Sequence, residues 1–260
     1  MLPGLTTAQM IEMDRIMVEE FKIPIELMME NAGLHFARSM VQNAKDAEKF
    51  LIVAGGGNNG GGGITAARRL KAWGKDVILW VASRKIREIP QRQLERFVGM
   101  NGNVQRKVEE VRKKLRTWEE KGVPYLVGDA YIGYGFTGSP SAHALEVFEL
   151  IGQTERIISL DAPSGLNTTT GEMHNEFLPD LTLTIAFMKK GLVENPKQVG
   201  NVEVVDIGVP KQIFEQRMEI NWEQFSIDEL NVLYQNFLNK GKSMTSIYSS
   251  KGWKPNSDIS

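Results

Sequence analysis

Two apolar spacings alternate along most of the chain. Short aliphatic and β-branched runs, each bounded by Gly, Pro or Asp, predict strands at residues 49–54, 77–81, 125–127, 156–160, 181–185 and 202–205. Between them lie segments whose apolar residues recur at helical spacing. Strands that alternate with helices predict an α/β protein with a mainly parallel sheet and helices on both faces. No helix is obvious between the last two strands, so we expect an antiparallel pair at that edge.

Capping signals mark where the first helices begin. Thr6 and Gln9 form a capping-box pattern ahead of an apolar helical stripe. Pro24 stands at the start of a second helix, a position that proline favours. The charged stretches 90–98 and 108–121 predict two more helices, and the alternating charges of the second are typical of a solvated face.

The character of the chain changes beyond about residue 210. We therefore divide it into a main domain, residues 1–215, and an extension, residues 216–260. Within the extension, Ser226 and Glu229 form another capping box. They open an amphipathic helix whose apolar stripe is Ile227, Leu230, Leu233, Tyr234, Phe237 and Leu238. The Ser-, Lys- and Gly-rich tail from Gly241 to Ser260 is expected to be poorly ordered.

A glycine-rich tract follows the first predicted strand. Seven of the nine residues from Gly55 to Gly63 are glycine, and we expect a helix to begin after them, at Ile64. A bare backbone between a strand end and a helix N-terminus suits a phosphate or pyrophosphate. The tract also satisfies the G-x-G-x-x-G dinucleotide pattern, but a run of glycines matches many patterns by chance. No Lys-Ser or Lys-Thr pair follows, which excludes a P-loop.

Two further loops place an aspartate directly after a predicted strand. Asp129 lies in the loop 128–140, and Asp161 begins the loop 161–167. Ligands of α/β proteins bind at the carboxyl ends of parallel strands, where both aspartates are expected. An aspartate at a strand end is often only a turn residue, but two such loops beside the glycine tract favour a binding site.

Composition excludes several classes of protein. The net charge is −1 and cysteine is absent, so disulfides, thiolate metal sites and a cysteine nucleophile are excluded. The balanced charge gives no field that would favour nucleic acid. No apolar stretch approaches the roughly 20 residues of a membrane span, and the N-terminus lacks the pattern of a secretory signal. We expect a cytoplasmic protein without membrane or nucleic-acid partners.

Taken together, the motifs resemble the YjeF N-terminal family, the NAD(P)H-hydrate epimerases. The resemblance extends from about Leu5 to Pro210 and rests on the order and spacing of six motifs. They are Met29-Glu30-Asn31-Ala32-Gly33, the loop 57–61, Asp129-Ala130 with Gly133, the segment 161–166, Lys189 with Gly191-Leu192, and the segment 206–210. The resemblance implies a three-layer Rossmann-like fold, often dimeric, and an isomerase that acts in metabolite repair.

The resemblance also implies a substrate and a set of site residues. The substrate is hydrated NADH or NADPH (NADHX or NADPHX), in which water has added at C6 of the nicotinamide ring. Its R and S forms would be interconverted by acid–base chemistry, with Asp161 as the catalytic residue. A potassium ion would be held by Asn59, Asp129 and Ser164, whose oxygen ligands suit a hard cation. The nucleotide would contact Asp161 together with Asn58, Asn59, Gly60, Gly61, Gly62, Gly133, Tyr134, Gly135, Phe136, Thr137, Gly138 and Ser139.

One position departs from the family pattern. The family loop normally reads Gly-Asn-Asn-Gly-Gly-Asp-Gly, and Gly62 stands here in place of its aspartate. The missing carboxylate leaves an alternative open, namely a nucleotide-binding or dimerisation module without turnover.

Overall fold

The computed structural model describes residues 4–218 and Asn231. Its centre is a seven-stranded sheet in which every neighbouring pair is parallel, in the order β3-β2-β1-β4-β5-β6-β7. The strands are β1 (Lys49–Ala54), β2 (Asp76–Val81), β3 (Asn103–Gln105), β4 (Tyr125–Ala130), β5 (Ile157–Leu160), β6 (Leu181–Ile185) and β7 (Asn201–Val205).

The helices follow the strands in alternation. They are α1 (Thr7–Glu19), α2 (Ile25–Gln42), α3 (Asn58–Ala72), α4 (Glu88–Gly99), α5 (Val108–Glu120), α6 (Ala142–Gly152), α7 (Lys190–Glu194) and α8 (Lys211–Arg217). The predicted capping box at Thr6 is confirmed, because its hydroxyl accepts from the Gln9 N–H while the Gln9 side chain accepts from the Thr6 N–H.

The core of the described residues consists of three apolar clusters, and two of them lie on opposite faces of the sheet at β1. Alternate side chains of a strand point to opposite faces. Phe50 and Ile52 of β1 therefore pack with buried residues of α2, α3 and α4. Leu51 and Val53 pack on the other side with residues of α5 and α6. The α/β class with helices on both faces, and the three-layer Rossmann-like fold implied by the resemblance, are thus confirmed.

The predicted antiparallel edge pair is wrong. Strands β6 and β7 are parallel over five residue pairs, from Leu181–Asn201 to Ile185–Val205. The five-residue helix α7 lies in the crossover between them, and it is too short to give a clear helical periodicity in the sequence. The short strand β3 and helix α6 were also absent from the prediction.

The start of the third helix differs from the prediction as well. Helix α3 begins at Asn58 rather than Ile64, so the last four glycines of the tract lie inside its first turns. Packing explains this conformation. A Cβ at Gly60 would collide with the carbonyl oxygen of Gly55, because the helix runs directly over the end of β1. The glycines therefore bring the N-terminus of α3 close to the sheet.

The sheet topology brings the predicted loops to one edge. The chain reverses its direction of strand addition between β1 and β4, and a crevice forms outside the carboxyl ends of strands at such a switch point. Asn231 contacts β7, the strand at one edge of the sheet. Its side chain accepts a hydrogen bond from the Val204 N–H at 2.7 Å and donates one to the Val204 carbonyl at 3.0 Å.

Within the described residues, no helix is long and apolar enough to cross a membrane. Apart from Asn231, the predicted helix of the extension and the tail 241–260 lie outside the residues that the structure describes, so the division at residue 215 stays a prediction.

Candidate active site

A cavity of about 460 Å³ opens at the carboxyl edge of the sheet, beside the switch point. Its volume is in the range of small-molecule sites. Apolar side chains of α1 and α2 form one wall, and the ends of strands β4, β5 and β6 form the other. The residues that contribute chemistry to the lining are Asp14, Asn58, Asn59, Arg87, Tyr134 and Asp161.

Asp161 occupies a strained backbone position at the end of β5. Its φ is +71°, in the left-handed region that non-glycine residues rarely adopt. Its N–H donates to the carbonyl of Leu183 at 2.7 Å, which holds this conformation in place. Ala186, which follows β6 and also lines the cavity, has a φ of +66°. Strain of this kind costs of the order of 1–3 kcal/mol and is typical of functional sites.

The carboxylate of Asp161 forms an ion pair with Lys189. The Lys189 ammonium lies 2.5 Å from Asp161 Oδ1, and both side chains are almost fully buried. The ammonium also donates to the Thr184 hydroxyl at 2.9 Å and to the Ile185 carbonyl at 2.5 Å. Burial lowers the pKa of Lys189, and the charge of Asp161 opposes that shift.

Tyr134 links Asp161 to a residue that the sequence prediction did not include, Asp14. The Tyr134 N–H donates to Asp161 Oδ2 at 2.7 Å, and its hydroxyl donates to Asp14 Oδ2 at 2.5 Å. Gly133 permits this arrangement, since a Cβ there would lie 2.6 Å from Asp161 Oδ2 and 2.9 Å from Asn59 Cγ. Burial raises the pKa of Asp14, and burial together with the nearby carboxylates raises the pKa of Tyr134.

Asp129 and Ser164, two of the three predicted cation ligands, are in direct contact. The Ser164 hydroxyl donates to Asp129 Oδ1 at 2.5 Å, and its N–H donates to Oδ2 at 2.9 Å. Ser159 and the Tyr131 N–H donate to the same carboxylate. Burial raises the pKa of Asp129, and these hydrogen bonds oppose that rise. Neither Asp129 nor Ser164 lines the cavity.

Asn59, the third predicted cation ligand, contributes an oxygen that lacks a partner. Its Nδ2 donates to the Leu160 carbonyl at 3.2 Å. Its Oδ1 is buried and accepts no hydrogen bond from the described residues. A buried acceptor without a donor is costly, so this oxygen is suited to a cation or to a donor on a ligand. Among the described residues, His, Asp and Glu form no group of three that could hold a metal ion.

The predicted nucleotide contacts divide into two groups. Seven of them line the cavity: Asn58, Asn59, Gly62, Gly133, Tyr134, Gly135 and Asp161. The other six, Gly60, Gly61, Phe136, Thr137, Gly138 and Ser139, are outside its lining. Phe136 is buried and contacts the rings of Phe148 and His174, whereas residues 137–139 are exposed.

Gly62 lies where a side chain would meet the apolar wall of the cavity. A Cβ at this position would be 2.9 Å from Leu160 Cδ2. The Leu160 methyl group therefore takes up part of the space beside the glycine. Fitting an aspartate there requires Leu160 to move.

Comparisons with known proteins identify the chains that this one resembles. Residues 25–191 match the family model described as YjeF-related protein N-terminus. The chain is 34% identical over 216 residues to the NAD(P)H-hydrate epimerase of Dehalogenimonas lykanthroporepellens, covering 81% of this chain and 84% of that protein. It is 29% identical to the NAD(P)H-hydrate epimerase of Elusimicrobium minutum, covering 80% and 96% of the two chains.

A longer relative and a solved structure complete the comparison. The bifunctional NAD(P)H-hydrate repair enzyme Nnr of Moorella thermoacetica is 32% identical, and the match covers 80% of this chain but only 41% of that protein. The crystal structure of a yeast protein superposes with a TM-score of 0.66 at 18% identity, over 78% of this chain and 88% of the yeast chain. The structural likeness supports the fold.

Proposed function

The chain belongs to the family of YjeF-related protein N-termini, and we propose from this that it is an NAD(P)H-hydrate epimerase. It would interconvert the R and S forms of NADHX and NADPHX. The observation that carries the proposal is the Asp161 carboxylate in the wall of a cavity at the switch point of the sheet, held by a buried ion pair with Lys189 behind it. This pair presents an acid–base group where α/β proteins bind nucleotides.

The chemistry of the substrate explains why a carboxylate is needed. C6 of the hydrate carries a hydroxyl group next to the ring nitrogen, so it is a hemiaminal carbon. Removal of the hydroxyl proton, or protonation of the departing hydroxyl, lets this carbon lose and regain its configuration. Asp161 is the group we assign to this proton transfer, because its backbone conformation and its bond to Lys189 fix its direction. Positioned acid–base groups typically accelerate such steps by about 10²–10⁴.

The N-terminus of α3 supports binding of the phosphate part of the substrate. Gly57 and Asn58 line the cavity at this end, and no side chain of the described residues caps the helix there. The free N–H groups of the first turn and the helix dipole favour an anion. The nicotinamide end would then lie towards Asp161 and Tyr134, deeper along the carboxyl edge of the sheet.

We also propose a potassium ion, as the family resemblance implies. Two observations support such an ion: Asn59 offers a buried oxygen that accepts no hydrogen bond from the described residues, and Asp129 offers a buried carboxylate beside the Ser164 hydroxyl. Oxygen ligands of this kind suit a hard cation. Bound there, potassium would supply positive charge beside the loops that hold the nucleotide.

The proposal of a homodimer has separate support. Four large apolar side chains of the α1–α2 region are substantially exposed: Ile11, Val18, Phe21 and Leu27. Exposed apolar side chains are typical of interaction surfaces when they adjoin one another, and Val18, Phe21 and Leu27 lie outside the cavity lining. Sedimentation velocity over a range of concentrations would measure the oligomeric state directly.

The alternative of a module without turnover rests on Gly62 alone and is not favoured. The acid–base pair does not include Gly62, and the two relatives that this chain matches over 84% and 96% of their length are named as epimerases.

A chiral separation tests the proposed activity. Purified S-hydrate of NADH or NADPH is incubated with the protein in potassium-containing buffer, and R-hydrate is measured by chromatography against buffer alone. We expect R-hydrate to form faster with the protein, and Asp161→Asn to abolish the acceleration. If the unaltered protein gives no acceleration with either substrate, the epimerase proposal is overturned.

A further inference from the structure

The cavity contains a second carboxyl group, that of Asp14, which the mechanism above does not use. Asp14 lies on α1, well before the first strand in sequence, and lines the cavity with Met10 and Ile11 of the same helix. Its neighbours Glu12 and Arg15 pair with each other in solvent. Asp14 is therefore the carboxylate of this helix segment that faces the site.

Tyr134 defines how the two carboxyl groups of the cavity are related. It donates its N–H to Asp161 and its hydroxyl to Asp14, at 2.7 and 2.5 Å. The two carboxyl groups thus lie at opposite ends of one tyrosine and contact different parts of the cavity wall, β5 on one side and α1 on the other. Each of the two walls of the cavity therefore contributes one carboxyl group.

The surroundings of Asp14 favour its protonated form. Burial raises its pKa, the Tyr134 hydroxyl bond opposes that rise, and the charge of Asp161 adds to it. Lys189 acts in the opposite direction but forms its direct ion pair with Asp161. Arg87, the remaining charged residue of the cavity lining, acts on Tyr134. Asp161 is in direct contact with the Lys189 ammonium, whereas Asp14 accepts a hydrogen bond from the Tyr134 phenol.

We infer that Asp14 is a second catalytic carboxyl group, which exchanges a proton at one face of the nicotinamide ring while Asp161 does so at the other. This inference rests on the proposed epimerase function. An enzyme that inverts a carbon needs an acid on the face from which a group departs and a base on the face to which it returns. Two carboxyl groups with different surroundings can divide these roles.

The step can be written with its atoms in balance. Protonated Asp14 gives its proton to the C6 hydroxyl, the C6–O bond breaks, and water leaves with the bonding electron pair. The lone pair of the ring nitrogen forms a double bond to C6 and gives an iminium ion. A water molecule adds to C6 from the other face and passes a proton to the Asp161 carboxylate. One water leaves and one enters, and the proton returns to Asp14 through solvent; the opposite epimer uses the same groups in exchanged roles.

Matched variants and a pH series test the inference. Initial rates of S-to-R conversion are measured from pH 5 to 10, an interval of about 5 units that covers the usual range of perturbed carboxyl and histidine groups. The variants are Asp14→Asn, Tyr134→Phe and the control Glu12→Gln, a carboxyl-to-amide change on the same helix but in solvent. The active state holds one proton shared over the two carboxyl groups, so the rate falls at high pH when this proton is lost.

We expect Asp14→Asn to lower kcat about 100-fold or more with little change in KM, and to remove the fall in rate at high pH. Tyr134→Phe should move that fall to higher pH, because it removes a hydrogen bond that favours ionised Asp14. Glu12→Gln should leave both the rate and the pH profile unchanged.

Other outcomes separate this inference from the proposed function. If the unaltered protein is active and Asp14→Asn keeps its kcat and pH profile, Asp14 has no catalytic role although the epimerase function stands. A rise in KM with kcat unchanged would also overturn the inference, since Asp14 would then only bind substrate. If Asp14→Asn does not fold, the shift expected for Tyr134→Phe decides the question, and an unshifted profile counts against the inference. An inactive parent protein overturns the proposed function itself.

Discussion

The ammonium of Lys189 lies 2.5 Å from the carboxylate of Asp161, and the two side chains are 0% and 2% exposed. This ion pair joins the end of β5 to the residue that precedes α7. Two opposite charges that are excluded from water attract each other strongly. Burying them nevertheless costs desolvation energy, which a pair of apolar side chains of similar size would not cost. We attribute its presence to the chemistry of the cavity rather than to stability.

The first prediction follows from this pair. Asp161→Asn leaves the Lys189 ammonium buried without its counter-charge, and Lys189→Met leaves the Asp161 carboxylate in the same situation. Each change should lower the free energy of unfolding by about 3–5 kcal/mol, whereas the double variant should lose clearly less than the sum. Urea denaturation of the four proteins measures the coupling. Additive losses would show that the two charges do not stabilise each other.

The second prediction concerns pH and the stability contributed by Asp14. Its folded pKa is raised above the unfolded value of about 3.9, so the folded state binds more protons between these two values. The contribution of Asp14 to the free energy of unfolding is therefore fully present below about pH 3.9, and it is lost as the pH rises through the pKa of Asp14 in the folded protein. Asp14→Asn removes this loss, because the neutral amide cannot ionise.

We expect Asp14→Asn to melt at a higher temperature than the unaltered protein at neutral pH, with a difference that shrinks as the pH approaches about 4. A gain of 1 kcal/mol corresponds to a rise of about 2–4 °C in a domain of this size. Calorimetry at several pH values measures it, with Glu12→Gln as the control. A difference that is independent of pH would contradict the prediction.

The third prediction concerns Gly62. Gly62→Asp should destabilise the fold by about 1–3 kcal/mol, because the new Cβ would lie 2.9 Å from Leu160 Cδ2. Adding Leu160→Val removes that methyl group and should recover most of the loss. Thermal melts and the epimerase assay on both variants test this. An inactive parent that gains activity only with the aspartate would favour the module without turnover over the enzyme.

The fourth prediction separates the cation from the nucleotide. Asp129→Asn should weaken the dependence of activity on potassium more than it weakens nucleotide binding, because Asp129 lies outside the cavity lining. Removing a negative charge from the ligands of a cation lowers ion affinity directly. Potassium titration of the activity and calorimetry with an NADP analogue measure the two effects. Asp180→Asn, immediately before β6, is the control for the same carboxyl-to-amide change outside the site.

Equal losses of potassium and nucleotide affinity in Asp129→Asn would indicate that this residue contacts the substrate instead. The same experiment in sodium buffer shows whether the site distinguishes the two ions.

The fifth prediction concerns the extension. Asn231 binds both the N–H and the carbonyl of Val204 on the outer edge of β7. Asn231→Ala should therefore cost about 1–2 kcal/mol, the sum of two typical hydrogen bonds. A C-terminal truncation that ends the chain just before Ser226 should lower the melting temperature at least as much. A truncation that ends the chain after Lys240 should leave the melting temperature nearly unchanged. If all three variants have the same melting temperature as the full chain, the extension does not stabilise the domain.

Much of the fold was determined by local sequence. The capping box at Thr6 and the helix 108–120 depend on residues within a few positions of each other, so their patterns are visible without the fold. The aspartates at the ends of β4 and β5 could also be found, because parallel strands place their carboxyl ends at one edge.

The tertiary structure alone decided how α3 begins and how the last strands pair. Glycine has a low intrinsic helix propensity, so the tract 60–63 predicted a loop. Close packing of the backbone over β1 outweighs that propensity. Likewise, the parallel pairing of β6 and β7 depends on a crossover that packs on the domain rather than on a strong local signal.

Asp14 shows most clearly what the sequence by itself could not determine. It stands among charged residues on an amphipathic helix, a pattern that is equally typical of a solvated surface. Its partner Tyr134 is 120 residues away along the chain. The sequence determined the α/β architecture and the loops of the site, because these depend on periodicity and on neighbouring residues. Only the packing of α1 over the sheet edge brought Asp14 to Tyr134, since a contact between distant residues depends on the whole fold.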